Sequence, residues 1–538
     1  MVQVDMFGRG FRLQLAITAA CSMAFILFGV VEHSKRASGI FTHAHLGYDQ
    51  GVFSGIVGNE HFLDVVGHPD DTILGIIVAV YNLGCFTGCI GAFTFGEWLG
   101  RRRAMWVAMA WIIVGGSLQA CAYSRAHMIV ARFVTGIGTG LETSTVPMYQ
   151  AELSHAHNRG RLVCSEPLFV GIGIVTAYWF DYGINFAGGE IAWRLPIACQ
   201  VIFALIVVVL VFGLPDSPRD LFNKGRHEDA TKVLCDVFDK DPDHVSIKKE
   251  KAEILHALSL EGESQKSWLH IFQQDEVQTG KRVLLAYGMQ FMNQVGGINL
   301  VVYYVPTVLE ENVGMTRNMS LLLGGVIQIM FPLGSIIPAL GADKLGRRRP
   351  MMWGSFGLGI CMMMISILLS FKNSSIGEPT ASASVAFFFV YMFIFGASVN
   401  CIPWVYVPEI LPLRARARGT AIGISSNWLW NFVIVMITPI IINRLQWKAY
   451  LIFMCTNLLF VPLIYFCYPE TAMLTLEEMD ELYTDRSGEG PIKISKRIRR
   501  EKKMGLRAGL EAGTSSNEAV VEGEKEESRA HQEMVAEK

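Results

Sequence analysis

The chain has 538 residues, 51% hydrophobic and only 17% charged, with mean hydropathy +0.35. An average soluble domain is about a quarter charged, so the composition excludes an ordinary soluble enzyme. Basic and acidic residues nearly cancel, 46 against 48, which leaves no polycationic surface for nucleic acid.

In chain order the apolar runs are long enough to cross a bilayer, about 20 residues each. They predict twelve spans: 11–29 continuing at 48–58, then 72–95, 104–122, 127–149, 161–184, 193–213, 283–309, 320–342, 350–371, 383–408, 418–442 and 447–468. Phe11–Gly29 reads as the start of the first span and not as a cleavable leader. The 11 cysteines are scattered through the apolar runs without a C-x-x-C pair. They read as small core residues, neither disulfide framework nor metal site.

The first span is interrupted. Phe25–Gly29 is followed by a piece carrying Glu32, His33, Lys35, Arg36, His43 and His45, and only then by Tyr48-Asp49-Gln50. Those side chains are costly in hydrocarbon. Removing the 18 residues Val30–Gly47 joins two apolar pieces into one span. The segment 30–47 therefore reads as a non-native insertion, such as an intron retained in the gene model.

Basic loops set the orientation. Arg9 and Arg12, Arg101–Arg103, Arg159 and Arg161, Lys344–Arg349, Arg414–Arg418 and Lys493–Arg507 fall on one side of a twelve-span chain. The opposite loops at 59–71 and 185–190 hold no Lys or Arg. The positive-inside rule places both termini in the cytoplasm. Sequons at Asn318 and Asn373 fall in outside loops.

The chain repeats itself. GEWLGRRR at Gly96–Arg103 returns as ADKLGRRR at Ala342–Arg349, an offset of 246 from Gly100 to Gly346. Tyr149-x-x-Glu152 returns as Tyr406-x-x-Glu409, and Leu214-Pro-Asp-Ser as Tyr468-Pro-Glu-Thr, at offsets of 257 and 254. Nearly equal offsets mark two six-span halves: 1–213 and 283–468. They are joined by a charged linker, 214–282, with an amphipathic helix over Glu228–Asp239. A tail at 469–538, rich in Glu, Lys and Ser towards its end, reads as cytoplasmic and mostly disordered.

Polar residues inside the apolar spans are the functional candidates. Gln290, Asn293 and Gln294 share one helix face at i, i+3, i+4. Gly296-Gly297 follows, able to break the helix and expose backbone, before Asn299. Amides in hydrocarbon need a partner or a watery cavity, so this stretch reads either as a sugar-sized polar site or as interhelical glue. Asp49 and Arg132 are charges inside spans and read as a buried pair. Gly136-x-Gly138-x-Gly140 follows no strand, so it reads as close helix packing and not as a nucleotide loop.

Taken in order, several motifs resemble those of the sugar porter family of the major facilitator superfamily, fungal type. They are LGYDQGVFSG, GEWLGRRR, ARFVTGIGTG, VPMYQAEL, LPDSPR, QFMNQVGGINLVVYY, ADKLGRRR, PWVYVPEILPLRARARG, SNWLWNF and YPET, and they cover roughly residues 11–480. The resemblance implies an all-α membrane protein of twelve transmembrane helices in two pseudo-symmetric halves. It implies monosaccharide transport by alternating access as a proton symporter, with no covalent chemistry and no cofactor. Gln290, Asn293, Gln294, Asn299, Trp404, Asn427 and Trp428 would meet the sugar, with Asn293 standing where Gln is common and Pro167 near another Gln position. Asp49 would carry the proton and Arg132 modulate it. Glu97, Arg101, Arg102, Glu152, Arg159, Asp343, Arg347, Arg348, Glu409 and Arg416 would form charge clusters that hold the halves together when the cavity opens outward. The partners implied are a sugar, protons and the lipid bilayer, in the plasma membrane. A uniporter, a carrier of quinate, polyol or disaccharide, and a transporter-like nutrient sensor are the competing readings.

Overall fold

The computed structural model describes residues 41–503 apart from 154–155, 265–274, 373, 413–414, 473, 475 and 485–488. Its regular structure is helical throughout, with no strand among the described residues. The first half comprises α1 (Phe41–Ile56), a short α2 (Glu60–Val66), α3 (Asp71–Leu99), α4 (Arg101–Ala120), α5 (Arg125–Glu152), α6 (Ala156–Asn185) and α7 (Ile191–Phe212). Asp70 and Ser124 start α3 and α5 by accepting from Ile73 N and His127 N at 3.1 and 3.3 Å, the usual side-chain satisfaction of orphan donors.

The linker folds into α8 (Pro218–Asn223), α9 (His227–Phe238) and α10 (Val245–Ser264). In α9, Ala230, Val233, Leu234 and Val237 form the buried stripe expected from their spacing. The second half comprises α11 (Thr279–Val295), α12 (Ile298–Glu311), α13 (Arg317–Leu345), α14 (Arg348–Ser370), α15 (Gly377–Ala397), α16 (Ile402–Ile410), α17 (Arg416–Leu445) and α18 (Ala449–Cys467). Two spans are therefore broken, α11–α12 at Gly296-Gly297 and α15–α16 at 398–401. The sequence pattern anticipates only the first.

The halves are built alike. α1 packs on α6, α3 on α5, α4 on α5 and α4 on α7. In the second half α11 packs on α17, α13 on α15, α14 on α15 and α14 on α18, the same four pairings. Between halves, α3 lies on α17 and α6 on α13. Polar contacts between the halves include Arg317 Nη2 to Gly55 O at 2.7 Å, Asn185 Nδ2 to Asn318 Oδ1 at 2.9 Å, and Tyr178 OH to Val302 O at 2.7 Å. Asn318 thus sits in the first turn of α13 at the seam between the halves.

Seven helical segments among the described residues are long and apolar enough to span by composition alone. α1, α4, α5 and the α11–α12 span are absent from that set. These carry Asp49, Arg101–Arg103, Arg132 and the amide run, which lower their mean hydropathy.

Two expectations need correction or qualification. Parts of the tail expected to be mostly disordered are helical: α19 (Leu476–Thr484) and α20 (Pro491–Lys503). Ile494 and Ile498 bury against Met479, Leu482 and Tyr483, apolar residues too few to show in the composition but spaced for one face. Residues 504–538 lie outside the described residues. Of the segment 30–47, residues 30–40 also lie outside them, while Phe41–Gly47 continues as helix into Tyr48. A Cβ on Gly47 would stand 2.0 Å from Val170 O, so α1 crosses α6 at a residue that must be glycine. Deleting 30–47 would put Gly29 in front of Tyr48, and a glycine again at that crossing.

The glycines of α5 close the first half. A Cβ on Gly136 would meet Tyr81 O at 2.1 Å and one on Gly140 would meet Cys85 O at 2.0 Å, while Gly84 and Gly88 of α3 face back at 2.3 and 2.2 Å. Four glycines let two backbones touch, which is how spanning helices gain packing without a hydrophobic drive. Gly140→Val should cost at least about 1–3 kcal/mol through overpacking, seen as a lower thermal midpoint in detergent and less protein at the surface. Gly183→Ala, where a Cβ meets nothing within 4 Å, should be neutral in both measurements.

Candidate functional site

The break at Gly296-Gly297 organises the site. Gly297 takes φ +96°, and a Cβ there would sit 2.7 Å from the Phe453 ring. The Gly296 carbonyl released from the helix accepts from Asn457 Nδ2 at 2.7 Å and from Tyr391 OH at 3.0 Å. With those partners the interruption is tolerable at membrane depth.

Beside the break lies a cavity of about 70 Å³ between the two halves. Asn293, Gln294, Asn299, Trp404, Asn427 and Trp428, six of the seven sugar-site candidates, line it. Asn299 Nδ2 donates to Gln294 Oε1 at 2.8 Å, and Gln294 Nε2 to Asn293 Oδ1 at 3.0 Å. Gly296-Gly297 thus returns Asn299 to the face that a straight helix would deny it. Trp428 is buried on Tyr81, Cys85, Cys89 and Ile424, so it bridges α17 to α3 of the other half.

Two candidates act differently from expectation. Gln290 is not among the lining residues. It is fully buried and accepts from Asn427 Nδ2 at 2.8 Å, so it holds Asn427 in place. Asn293 lines the cavity but its Nδ2 donates to Val399 O at 2.9 Å, tying one broken span to the other. Sequence reasoning missed Gln50, Thr143, Glu166, Asn400 and Asn431, which also line the cavity. Asn431 had a signal, lying one turn after Asn427 on the same face of α17. So did Glu166, a carboxyl in an apolar span next to Pro167.

Asp49 and Arg132 are both fully buried, yet no hydrogen bond or ion pair joins them. The Arg132 guanidinium stands 3.8 Å from the ring centroid of Phe53 and 4.6 Å from that of Tyr81, and donates to Val78 O at 3.0 Å. Aromatic faces and a helix carbonyl take the place of the expected carboxylate. Phe53 lies one turn after Asp49 on α1, so the cation is displaced by a turn along the same face. Tyr81 and Glu142 are within electrostatic reach of Asp49.

At the linker end each half carries the same charge cluster. Gly100 and Gly346 make the turns at φ +77° and +80°. Arg101 pairs with Glu152 at 3.0 Å, and Arg347 grips Glu409 with two bonds of 3.1 and 2.7 Å. Glu152 accepts from Ser217 Oγ as Glu409 accepts from Thr471 Oγ1. Tyr149 OH reaches Pro215 O at 2.8 Å, and Tyr406 OH reaches Pro469 O at 3.1 Å. Arg102 donates to the last carbonyls of α7, Val211 and Phe212, as Arg348 donates to Tyr465 O in α18. Glu470 caps α14 by accepting from Arg347 N at 2.8 Å and Arg348 N at 3.2 Å. The tail helix α20 then locks that cap: Ser495 Oγ donates to Glu470 O at 2.6 Å.

The bonds just described each close within one half. Arg416 donates to the nearby Leu411 O at 3.5 Å. The side chains of Glu97, Arg159 and Asp343 lie outside the described residues.

Residues 35–483 match the family described as "Sugar (and other) transporter". An MFS-type transporter of Aspergillus oryzae, oryC, is 42% identical over 81% of this chain and 82% of that one. The sugar transporter STL1 of Saccharomyces cerevisiae is 32% identical over 89% of this chain and 83% of that one. The fold is shared with the proton:xylose symporter XylE bound to 6-bromo-6-deoxy-D-glucose, at a TM-score of 0.72 and 23% identity, covering 88% of this chain and 99% of that one.

Two tests follow from this geometry. Gln294 and Asn299 act as one unit, so Gln294→Ala and Asn299→Ala should each weaken solute binding while the double variant falls short of their sum by roughly 0.5–2 kcal/mol, measured as binding constants in a mutant cycle. The described bonds of the two charge clusters lie in different halves. Glu152→Gln and Glu409→Gln should each remove a charge-assisted bond of about 1.5–3 kcal/mol, and their effects on the thermal midpoint should add.

Proposed function

The chain belongs to the sugar (and other) transporter family, and from that premise we propose that it carries a hexose or pentose across the membrane by alternating access, coupled to proton entry. The observation that supports the substrate class is the cavity lining. Amides from α11, α12, the α15–α16 break and α17 face two indoles. Amides match the hydroxyls of a sugar, and an indole face matches its C–H face. No Lys, Arg or His is among the described lining residues, while Glu166 is. An anion such as quinate would meet a carboxyl and find no counter-charge, so a neutral polyhydroxyl solute fits better.

Asp49 is the proton carrier in this reading. It is fully buried one position before Gln50, which lines the cavity. Whichever side the cavity opens to sets the solvent with which Asp49 exchanges its proton. Arg132, held on Phe53 and Tyr81, supplies a fixed positive field one turn away. Tyr81 and Glu142 complete its polar surroundings. The two charge clusters stiffen each half so that it moves as a unit. The basic loops put both termini in the cytoplasm, and nutrient uptake suits the plasma membrane.

Labelled glucose uptake with external pH recording, in a transporter-deficient host, tests this. Uptake should rise as external pH falls, bring protons in with the sugar and collapse with an uncoupler. Asp49→Asn should abolish accumulation and pH dependence while leaving exchange down a gradient. Sugar flux with no proton influx in the wild type would leave a uniporter, and altered gene expression without flux would leave a sensor. The chain should be compared with a form lacking Val30–Gly47, which is expected to transport better because it has a continuous first span.

A further inference from the structure

The α15–α16 break is the part of the cavity wall that the sequence pattern does not announce. α15 ends at Ala397, Ser398 turns away with φ −140° and ψ −77°, and α16 begins at Ile402. Three of the freed backbone groups have partners. Ser398 N and Asn400 N both donate to Phe395 O, at 3.3 and 3.0 Å, and Val399 O accepts from Asn293 Nδ2. The two broken spans are therefore cross-tied at Val399, and Asn400 is the next residue.

Asn400 is only 8% exposed and lines the same cavity as Asn293, Trp404 and Asn431. Its side-chain amide forms no hydrogen bond with any described residue, and its Nδ2 is sealed from solvent. A buried amide without a partner is costly, and a native structure keeps one where another molecule supplies the bond. Three amides of the α11–α12 wall are already engaged: Asn293 with Val399 O, Gln294 with Asn293, and Asn299 with Gln294. Asn293 spends its donor on the tie, and the tie holds Asn400 in the wall with its amide unspent.

We propose that Asn400 is a specificity-determining contact, its amide pairing with one particular hydroxyl of the transported solute. The proposal rests on the sugar reading above and deepens it. Removing the amide should cost most against solutes that carry that hydroxyl and little against solutes that lack it.

The test measures inhibition of labelled glucose uptake by glucose and by its 1-, 2-, 3-, 4- and 6-deoxy analogues, in wild type and in Asn400→Ala and Asn400→Ser. Ratios of inhibition constants within one variant are independent of expression, so a variant that folds poorly still reports. In wild type, the analogue lacking the contacted hydroxyl should bind roughly tenfold more weakly than glucose, the usual loss when a buried polar group is left unpaired. In Asn400→Ala that single penalty should shrink to about twofold or less while the other four persist, and Asn400→Ser should fall between. Five penalties unchanged in both variants would overturn the assignment. Loss of all five together would make Asn400 a structural residue and overturn it equally. Wild type that takes up no sugar overturns the sugar reading itself, and this assignment with it.

Discussion

The amide wall of the cavity depends on the carbonyl of Gly296. A helix broken inside hydrocarbon leaves backbone groups with no water to receive them, at a cost of several kcal/mol each. Asn457 and Tyr391, from α18 and α15, receive this one. With the break satisfied, α12 can set off in a new direction. Asn299 then comes round to Gln294, and the cavity gains a continuous amide wall. The second break is satisfied from the first, because Asn293 of α11 reaches the carbonyl of Val399. One discontinuity thus supports the other, and both face the cavity.

The repeated motifs describe hardware internal to each half. Arg101–Glu152–Ser217 and Arg347–Glu409–Thr471 are the same chemistry twice. The chain between arginine and glutamate is 51 residues in one copy and 62 in the other. The contact geometry therefore survives a change in the length of the intervening helices and loops. Charge-assisted bonds of this kind are about twice as strong as neutral ones. They fix the linker ends of the helices on which the solute site is mounted.

Much of the fold was legible because membrane spanning writes itself into composition, and because duplication writes itself into spacing. The apolar runs and the returning GRRR, Tyr-x-x-Glu and Pro-Asp-Ser or Pro-Glu-Thr motifs give the spans and the two halves without further help. The amide run gives the first break, since glycines beside amides in an apolar span have few other uses. The second break was hidden because Ser398–Cys401 contains neither glycine nor proline, and Asn400 and the neighbouring Pro403 read as ordinary span residues. Asp49 and Arg132 were legible as buried charges but not as unjoined ones. Which partner an arginine chooses depends on where Phe53 and Tyr81 stand in space, and helix periodicity within one segment does not reveal that. Gln290 was misplaced for the same reason: its face is right, but Asn427 of a distant helix claims it.

The seam between the halves carries a kinetic consequence. Within each half the bonds include ion pairs, one of them, Arg347–Glu409, bidentate. Across the seam the described polar contacts are isolated bonds to backbone or amide oxygens, from Arg317, Asn185 and Tyr178. Each such bond is worth only about 1 kcal/mol net, somewhat more where the donor is charged. Swinging one half against the other breaks these described bonds and slides α3 over α17 and α6 over α13, while the Arg101–Glu152 and Arg347–Glu409 bonds each lie within a half and stay shut. The charged bonds described within each half are thus not among those that reorientation breaks, so heat stability and turnover draw on different contacts.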